Sequence, residues 1–359
     1  MTALDVALHR LHNQQIAKPL FKKPHQVVAS LGAVQAQDFP GTKWAIGLRL
    51  SGATEKDIDH AIASRSIIRT WPMRGTLHFV AAEDVHWMRA LLTPRIIAGS
   101  TQRQKNLELD AKVFARCEKL LIKALQGDRQ LAREAICALL EKAGISTAGQ
   151  RGYDILWRLA QEGLLCFGAP EGKQHTFALL DEWSPATKSL ERDEALAQLA
   201  KRYFTGHGPA TLQDFVWWSG LKVSDARAGL NMVSSQLAQE TVDGKIHWMP
   251  QSLPALSKDS PLAHLLPGFD EYMLGYTDRS AALDPKYAQR ICPGSNGIFS
   301  HTVVLNGRVS GIWKRSFKKE TAILTLSPFT SFSKIHKNAI TIAADRYGKF
   351  MEMTARCAE

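Results

Sequence analysis

The chain has 359 residues, too many for one hydrophobic core, so two to four domains are expected. Its 45% hydrophobic and 22% charged residues are ordinary for a soluble globular protein, no apolar run approaches the roughly 18 residues of a membrane span, and the N-terminus lacks the pattern of a secretory signal. Five scattered cysteines without Cys-x-x-Cys spacing or an accompanying His pair argue against a structural zinc or a disulfide framework and fit reduced thiols in a cytoplasm. The formal charge of +11 favours a polyanionic partner, although a solvated basic face would give the same count.

In chain order, helices are expected at about 3–17 and 24–36. The second carries Val27, Val28, Leu31 and Val34 on an inner stripe and ends in Gln35-Ala36-Gln37-Asp38. Phe39-Pro40-Gly41 breaks it there, because the residue before a proline is pushed out of the helical region. Residues two apart on a regular helix point about 200° away from each other, so the two amides serve one site only if the chain unwinds at Gln37. Otherwise they cap helix-end carbonyls. A helix near 54–65 and strands at 67–70 and 76–80 follow. Arg69, Trp71, Arg74 and His78 interleave across that hairpin, a composition suited to phosphates and an unstacked base. A hairpin with Trp71 in the core and solvated arginines would need the same residues.

The order helix, turn, helix, hairpin returns twice. Leu131, Ala135, Ile136, Leu139 and Leu140 form one amphipathic helix, Tyr153, Leu156, Leu159 and Ala160 mark the next, and strands at 164–167 and 176–179 close the unit. Thr211 caps a third copy, Gly220 ends its first helix, and Asp243-Gly244 is a preferred two-residue hairpin turn. Three such copies beside a basic tail point to DNA. The expected units are 1–100, 101–185, 186–257 and a last domain at 258–359.

From about Pro261 the texture becomes β. In 267–279, Asp270, Tyr272, Asp278 and Arg279 sit in a Gly-rich loop whose carboxylates could activate water or orient arginines; an inter-domain loop would use the same residues. His301 to Arg315 is the strongest hairpin in the sequence, turning at Asn306-Gly307. A two-residue loop pairs Leu305 with Arg308, Val303 with Ser310 and His301 with Ile312. His301, Arg308, Ser310 and Lys314 then share one face, with Trp313 and Arg315 on the other. A strand at 322–326 and a helix at 334–347 complete a small barrel-like domain. Residues 301–350 hold nine Lys/Arg, Lys318 among them, against Glu320 and Asp345.

At these segments the chain resembles the AlkZ-type DNA glycosylases. Gln35-Ala36-Gln37 matches that family's Gln-hydrophobic-Gln triplet, and Gln37 argues against the sister branch with Gln-hydrophobic-Asp. The blocks 69–78, 269–279 and 301–315 look like the family's other recurrent blocks, in the same order. The resemblance implies an α+β fold of three tandem winged-helix units around a concave DNA channel, followed by a β-barrel-like domain. It implies a monofunctional glycosylase for N7-alkylated purines or interstrand crosslinks in double-stranded DNA, acting in base excision repair near the nucleoid, with Gln35 and Gln37 catalytic. DNA contacts are expected at Arg69, Trp71, Arg74, His78, Arg279, His301, Arg308, Trp313, Lys314, Arg315 and Lys318, with support from Asp38, Asp270, Tyr272 and Asp278. Asp38 stands beside the triplet as a rival water activator. No cofactor or metal is expected, and no heptad run supplies a dimer seam, so a monomer is expected. A non-catalytic winged-helix regulator or damage sensor is the alternative.

Overall fold

A computed structural model describes residues 1–185, 189–253 and 262–358. The chain packs into two compact units, Met1–Ile58 with Leu196–Glu359, and Asp59–Ala195. The boundaries expected at 185/186 and 257/258, and the change of texture at Pro261, fall at or within segments outside the described residues. No helix among the described residues is long and apolar enough to cross a membrane.

In the first unit, Thr2 and Asp5 form a capping box at the start of helix Ala3–Asn13. Helix Pro24–Leu31 begins on proline and stops at Gly32, whose φ of 80° cannot continue a helix. The expected extension of this helix through Val34 to Asp38 is therefore corrected: Val34–Gln35 is extended. Phe39-Pro40 also acts in the opposite sense to the expectation. It opens helix Phe39–Gly47, where proline at an early position has no intrahelical N–H to lose.

The C-terminal part of this unit is a five-stranded open sheet, a half-barrel. Its strands run in the order Thr354–Ala358, Thr321–Pro328, Arg308–Lys318, Thr302–Leu305, Ala263–Leu266. All neighbours are antiparallel except the pair Thr321–Pro328 and Thr354–Ala358. A parallel pair needs a crossover, supplied by helix Lys334–Phe350, which Ser333 caps. That helix runs three residues past the expected end, and the edge strand Thr354–Ala358 follows it without a strand pattern in the sequence. It packs through Tyr347 and Phe350 on Trp44 of helix Phe39–Gly47, with ring centroids at 5.2 and 5.1 Å.

The hairpin at Asn306-Gly307 forms as expected, but its register does not hold along its length. Leu305 pairs with Arg308 and Val304 with Val309, whereas Val303 pairs with Gly311 and Thr302 with Ile312. Ser310 is the extra residue of a β-bulge, and beyond a bulge every side chain changes face. His301 accordingly lies across from Trp313, whose N–H donates to its carbonyl at 3.1 Å. It joins the Trp313 and Arg315 face, not that of Arg308 and Lys314.

In the second unit, antiparallel strands run in the order Thr76–Ala81, Ile67–Met73, Leu165–Phe167, Thr176–Leu179, Leu131–Ala132. Helices Ala111–Leu125, Arg133–Lys142 and Arg151–Glu162 carry the apolar stripes that share its core with Trp71, Phe167 and Phe177. The α+β class follows from both units.

Candidate active site

The helix has ended at Gly32, Val34–Gln35 is a short strand and Gln37 lies in the bend after it, so residues 35 and 37 are not held about 200° apart as on a helix. The Gln35 Nε2 donates to Gln37 Oε1. Gln35 is only 7% exposed, Ala36 between them is buried, and Gln37 is exposed, so the pair runs from the interior to solvent.

Two supports fix this segment, and neither was singled out from the sequence. The first is Glu271, fully buried, whose Oε1 accepts the Gln35 backbone N–H at 3.1 Å. Its Oε2 accepts from Trp218 Nε1 at 2.9 Å and lies 3.3 Å from His207 Nε2. A buried carboxylate is tolerated because donors surround it. The second is Thr42, whose hydroxyl lies 2.9 Å from the Gln35 carbonyl and 2.8 Å from the Asp38 carbonyl. No spacing rule marks either residue. Glu271 differs from its neighbour Asp270 only in what the fold places around it.

Asp38 precedes helix Phe39–Gly47 and folds back over it. A Cβ on Gly41 would fall 2.1 Å from Asp38 Oδ2, so only glycine admits this close approach. Arg315 lies 3.6 Å from Asp38 Oδ1 and donates to the Tyr347 hydroxyl at 3.2 Å. His301 Nε2 lies 3.7 Å from Oδ2, beyond hydrogen-bond reach. Burial, reinforced by the Arg315 charge and opposed by Asp38, pulls the His301 imidazole down to about 4. His301 is therefore neutral at pH 7, and its contact with Asp38 is not an ion pair. Its ring meets Trp313 edge-on at 4.8 Å, and Trp313, 1% exposed, donates to the Leu266 carbonyl.

The remaining expected residues separate into buried and exposed sets. Asp270 makes a bidentate pair with Arg49 at 2.8 Å, both side chains fully buried. Tyr272 donates to the Gly307 carbonyl, and burial pushes its hydroxyl pKa up. These two brace the interior. Burial would raise the Asp278 carboxyl, but Lys245 at 2.5 Å and Ser280 outweigh it and hold it low. The Arg279 guanidinium lies over the rings of Trp217 and Phe299, 5.1 Å from each centroid. Arg308, Lys314 and Lys318 are exposed.

In the second unit, Trp71 is 3% exposed and packs on Phe167, Phe177 and Tyr153 with centroids at 5.0, 6.5 and 6.2 Å. A buried indole offers no face to a base, which corrects the expectation that Trp71 contacts DNA. Arg69 is also buried, over the Phe167 ring, and desolvation pulls its guanidinium down to about 10. His78 is buried with Nδ1 2.9 Å from the Thr76 carbonyl, and Arg74, at 3.3 Å from its Nε2, is half-buried. Among the described residues no group of three or more His, Cys, Asp or Glu is arranged to hold a metal ion.

The fold is that of a DNA glycosylase. The solved structure of Streptomyces sahachiroi DNA glycosylase AlkZ matches it over 100% of both chains with a TM-score of 0.80 at 22% identity, which bears on fold alone. In sequence, the interstrand DNA cross-link repair glycosylase of Streptomyces sahachiroi is 28% identical over 340 residues, 88% of this chain and 87% of that protein. The family model described as DNA glycosylase AlkZ-like matches residues 28–350, and the chain belongs to that family.

Proposed function

We propose that the protein is a monofunctional glycosylase that hydrolyses the N-glycosidic bond of cationic, N7-alkylated purines in double-stranded DNA, with Gln35 and Gln37 as its catalytic residues. The observation that carries this reading is the amide pair itself, converging just after the braced strand Val34–Gln35. An N7-alkylpurine is already positive. When the C1′–N9 bond breaks, the electron pair returns to the base and neutralises it, so no general acid is needed. The sugar is left as an oxocarbenium-like cation that water must reach. Neutral amides are poor proton acceptors, yet they orient a water and accept hydrogen bonds at fixed positions. They therefore suit a charged leaving group and serve a neutral base poorly.

A lyase step would need a free amine beside the sugar. The nearest lysine in sequence, Lys43, is held by Glu55 at 3.3 Å. Unhooking of interstrand crosslinks is the second part of the proposal and rests on the name of the Streptomyces relative. The tandem helix-helix-hairpin segments are read as winged-helix units that hold the duplex.

Asp38 gives a second reading, favoured by its place beside the pair and beneath Arg315 and His301. Its carboxylate would take the proton of the attacking water. Single-turnover release of free base from a duplex containing N7-methylguanine separates the two. Gln35→Ala and Gln37→Ala should each slow release about 10²-fold, the scale of losing a preorganised polar contact to the transition state. Undiminished release by Gln37→Ala with loss in Asp38→Asn would transfer the role to Asp38.

A further inference from the structure

Three arginines withdrawn from solvent in the first unit each face a carboxylate: Arg10 meets Asp214 at 3.9 Å, Arg49 meets Asp270 at 2.8 Å and Arg315 meets Asp38 at 3.6 Å. Arg279 does not. Its Nε donates to the Met273 carbonyl at 2.7 Å, and the Trp217 and Phe299 rings each lie 5.1 Å from its Cζ. Among the described residues no carboxylate closes on its two terminal nitrogens. The adjacent acids are engaged elsewhere. Asp278 is held by Lys245 and Ser280, and Asp214 by Thr211 and the backbone N–H groups of Thr277 and Asp278. Desolvation lowers the Arg279 pKa below its ordinary value.

A half-buried guanidinium whose neighbouring carboxylates, Asp214 and Asp278, stay beyond ion-pair distance is costly, and a planar fork of donors matches a phosphate bidentately. The aromatic rings and the Met273 carbonyl remove most of its rotamer freedom before any ligand arrives. Met273 lies on the same short helix, Glu271–Leu274, as the carboxylate that fixes Gln35. We propose that Arg279 is a preformed anchor for one phosphodiester of the DNA backbone, holding the strand at a set position relative to the amide pair. This rests on the reading that the protein acts on duplex DNA.

The test is affinity for an undamaged duplex, measured across a salt series with the full chain. Each phosphate contact contributes about one unit to the slope of log K against log salt. Arg279→Gln should weaken low-salt binding about tenfold and flatten the slope by about one. Arg279→Lys should restore the slope but only part of the affinity, since an ammonium carries the charge without the fork. A folded Arg279→Gln protein with an unchanged slope overturns the proposal, and a lowered melting temperature with that slope makes the residue structural. If Arg279→Gln does not fold, Trp217→Ala at a residue 36% exposed takes its place: two- to threefold weaker binding is expected, and unchanged binding overturns the proposal. Base release measured in parallel keeps the outcomes apart. A slope change in Arg279→Gln without release by the wild type upholds the anchor and removes the glycosylase reading.

Discussion

Gln35-Ala36-Gln37-Asp38 and the Arg69 to His78 hairpin carry similarly suggestive polar groups, yet their surroundings differ. In the first, the backbone is what is held: Glu271 and Thr42 take its N–H and carbonyl groups, and the exposed Gln37 side chain ends the amide pair. In the second, the side chains themselves are buried. Trp71 lies in the core, Arg69 is spread on Phe167, and His78 turns back to the Thr76 carbonyl. A site needs its frame fixed and its chemistry presented. Aromatic and cationic composition in the 69–78 hairpin reflects packing to a large extent.

The sharpest way to break this contrast is Trp71→Ala. Removing a buried indole should destabilise the protein by about 3–5 kcal/mol, read as a lower denaturation midpoint. Base release per folded molecule at a permissive temperature should stay within a few-fold of wild type. A large loss of release without loss of stability would return Trp71 to the site.

Glu271→Gln probes the other side at a smaller scale. The new amide must present a donor toward Trp218 Nε1 or Gln35 N, each of which donates already, so one hydrogen bond is lost at a cost of about 1–3 kcal/mol. If Glu271 positions the amide pair, single-turnover release should fall about tenfold while affinity for undamaged duplex is unchanged. An equal fall in both, or in neither, would mean that Glu271 only fills the core.

These outcomes also mark where the sequence is legible. Hairpins announce themselves chemically: Asn306-Gly307 and Asp243-Gly244 both take the positive φ values that the two-residue turn demands. Thr211 and Gly220 bound their helix as their types require. The non-helical course of the triplet is hidden because Val34 continues the stripe of Val27 and Leu31, although Gly32 has already ended the helix. The bulge at Ser310 is hidden because nothing in residue type tells one extra residue from a regular pair. Its consequence is large, since it alone brings His301 to the face of Arg315 and Asp38. The Gln35–Gln37 pair is marked by resemblance, and its convergence requires a chain unwound at Gln37; the structure meets that condition because the helix has already ended at Gly32.

The least of the expected effects concerns that displaced histidine. Unfolded, His301 titrates near 6.5, and in the folded chain burial and Arg315 bring it to about 4. Between these values the unfolded state binds a proton that the folded state does not, so stability rises with pH across that window. The contribution is fully present above pH 6.5 and is lost as pH falls toward 4. At pH 5.5 about 1.4 kcal/mol of it has been lost. His301→Asn removes the group, and its melting temperature should fall less steeply than wild type between pH 6.5 and 4. The slope should not vanish, because His264, pulled down to about 3 by burial, loses stability in the same direction. Parallel melting curves for variant and wild type would mean that His301 is protonated beside Asp38, and the two would then be an ion pair.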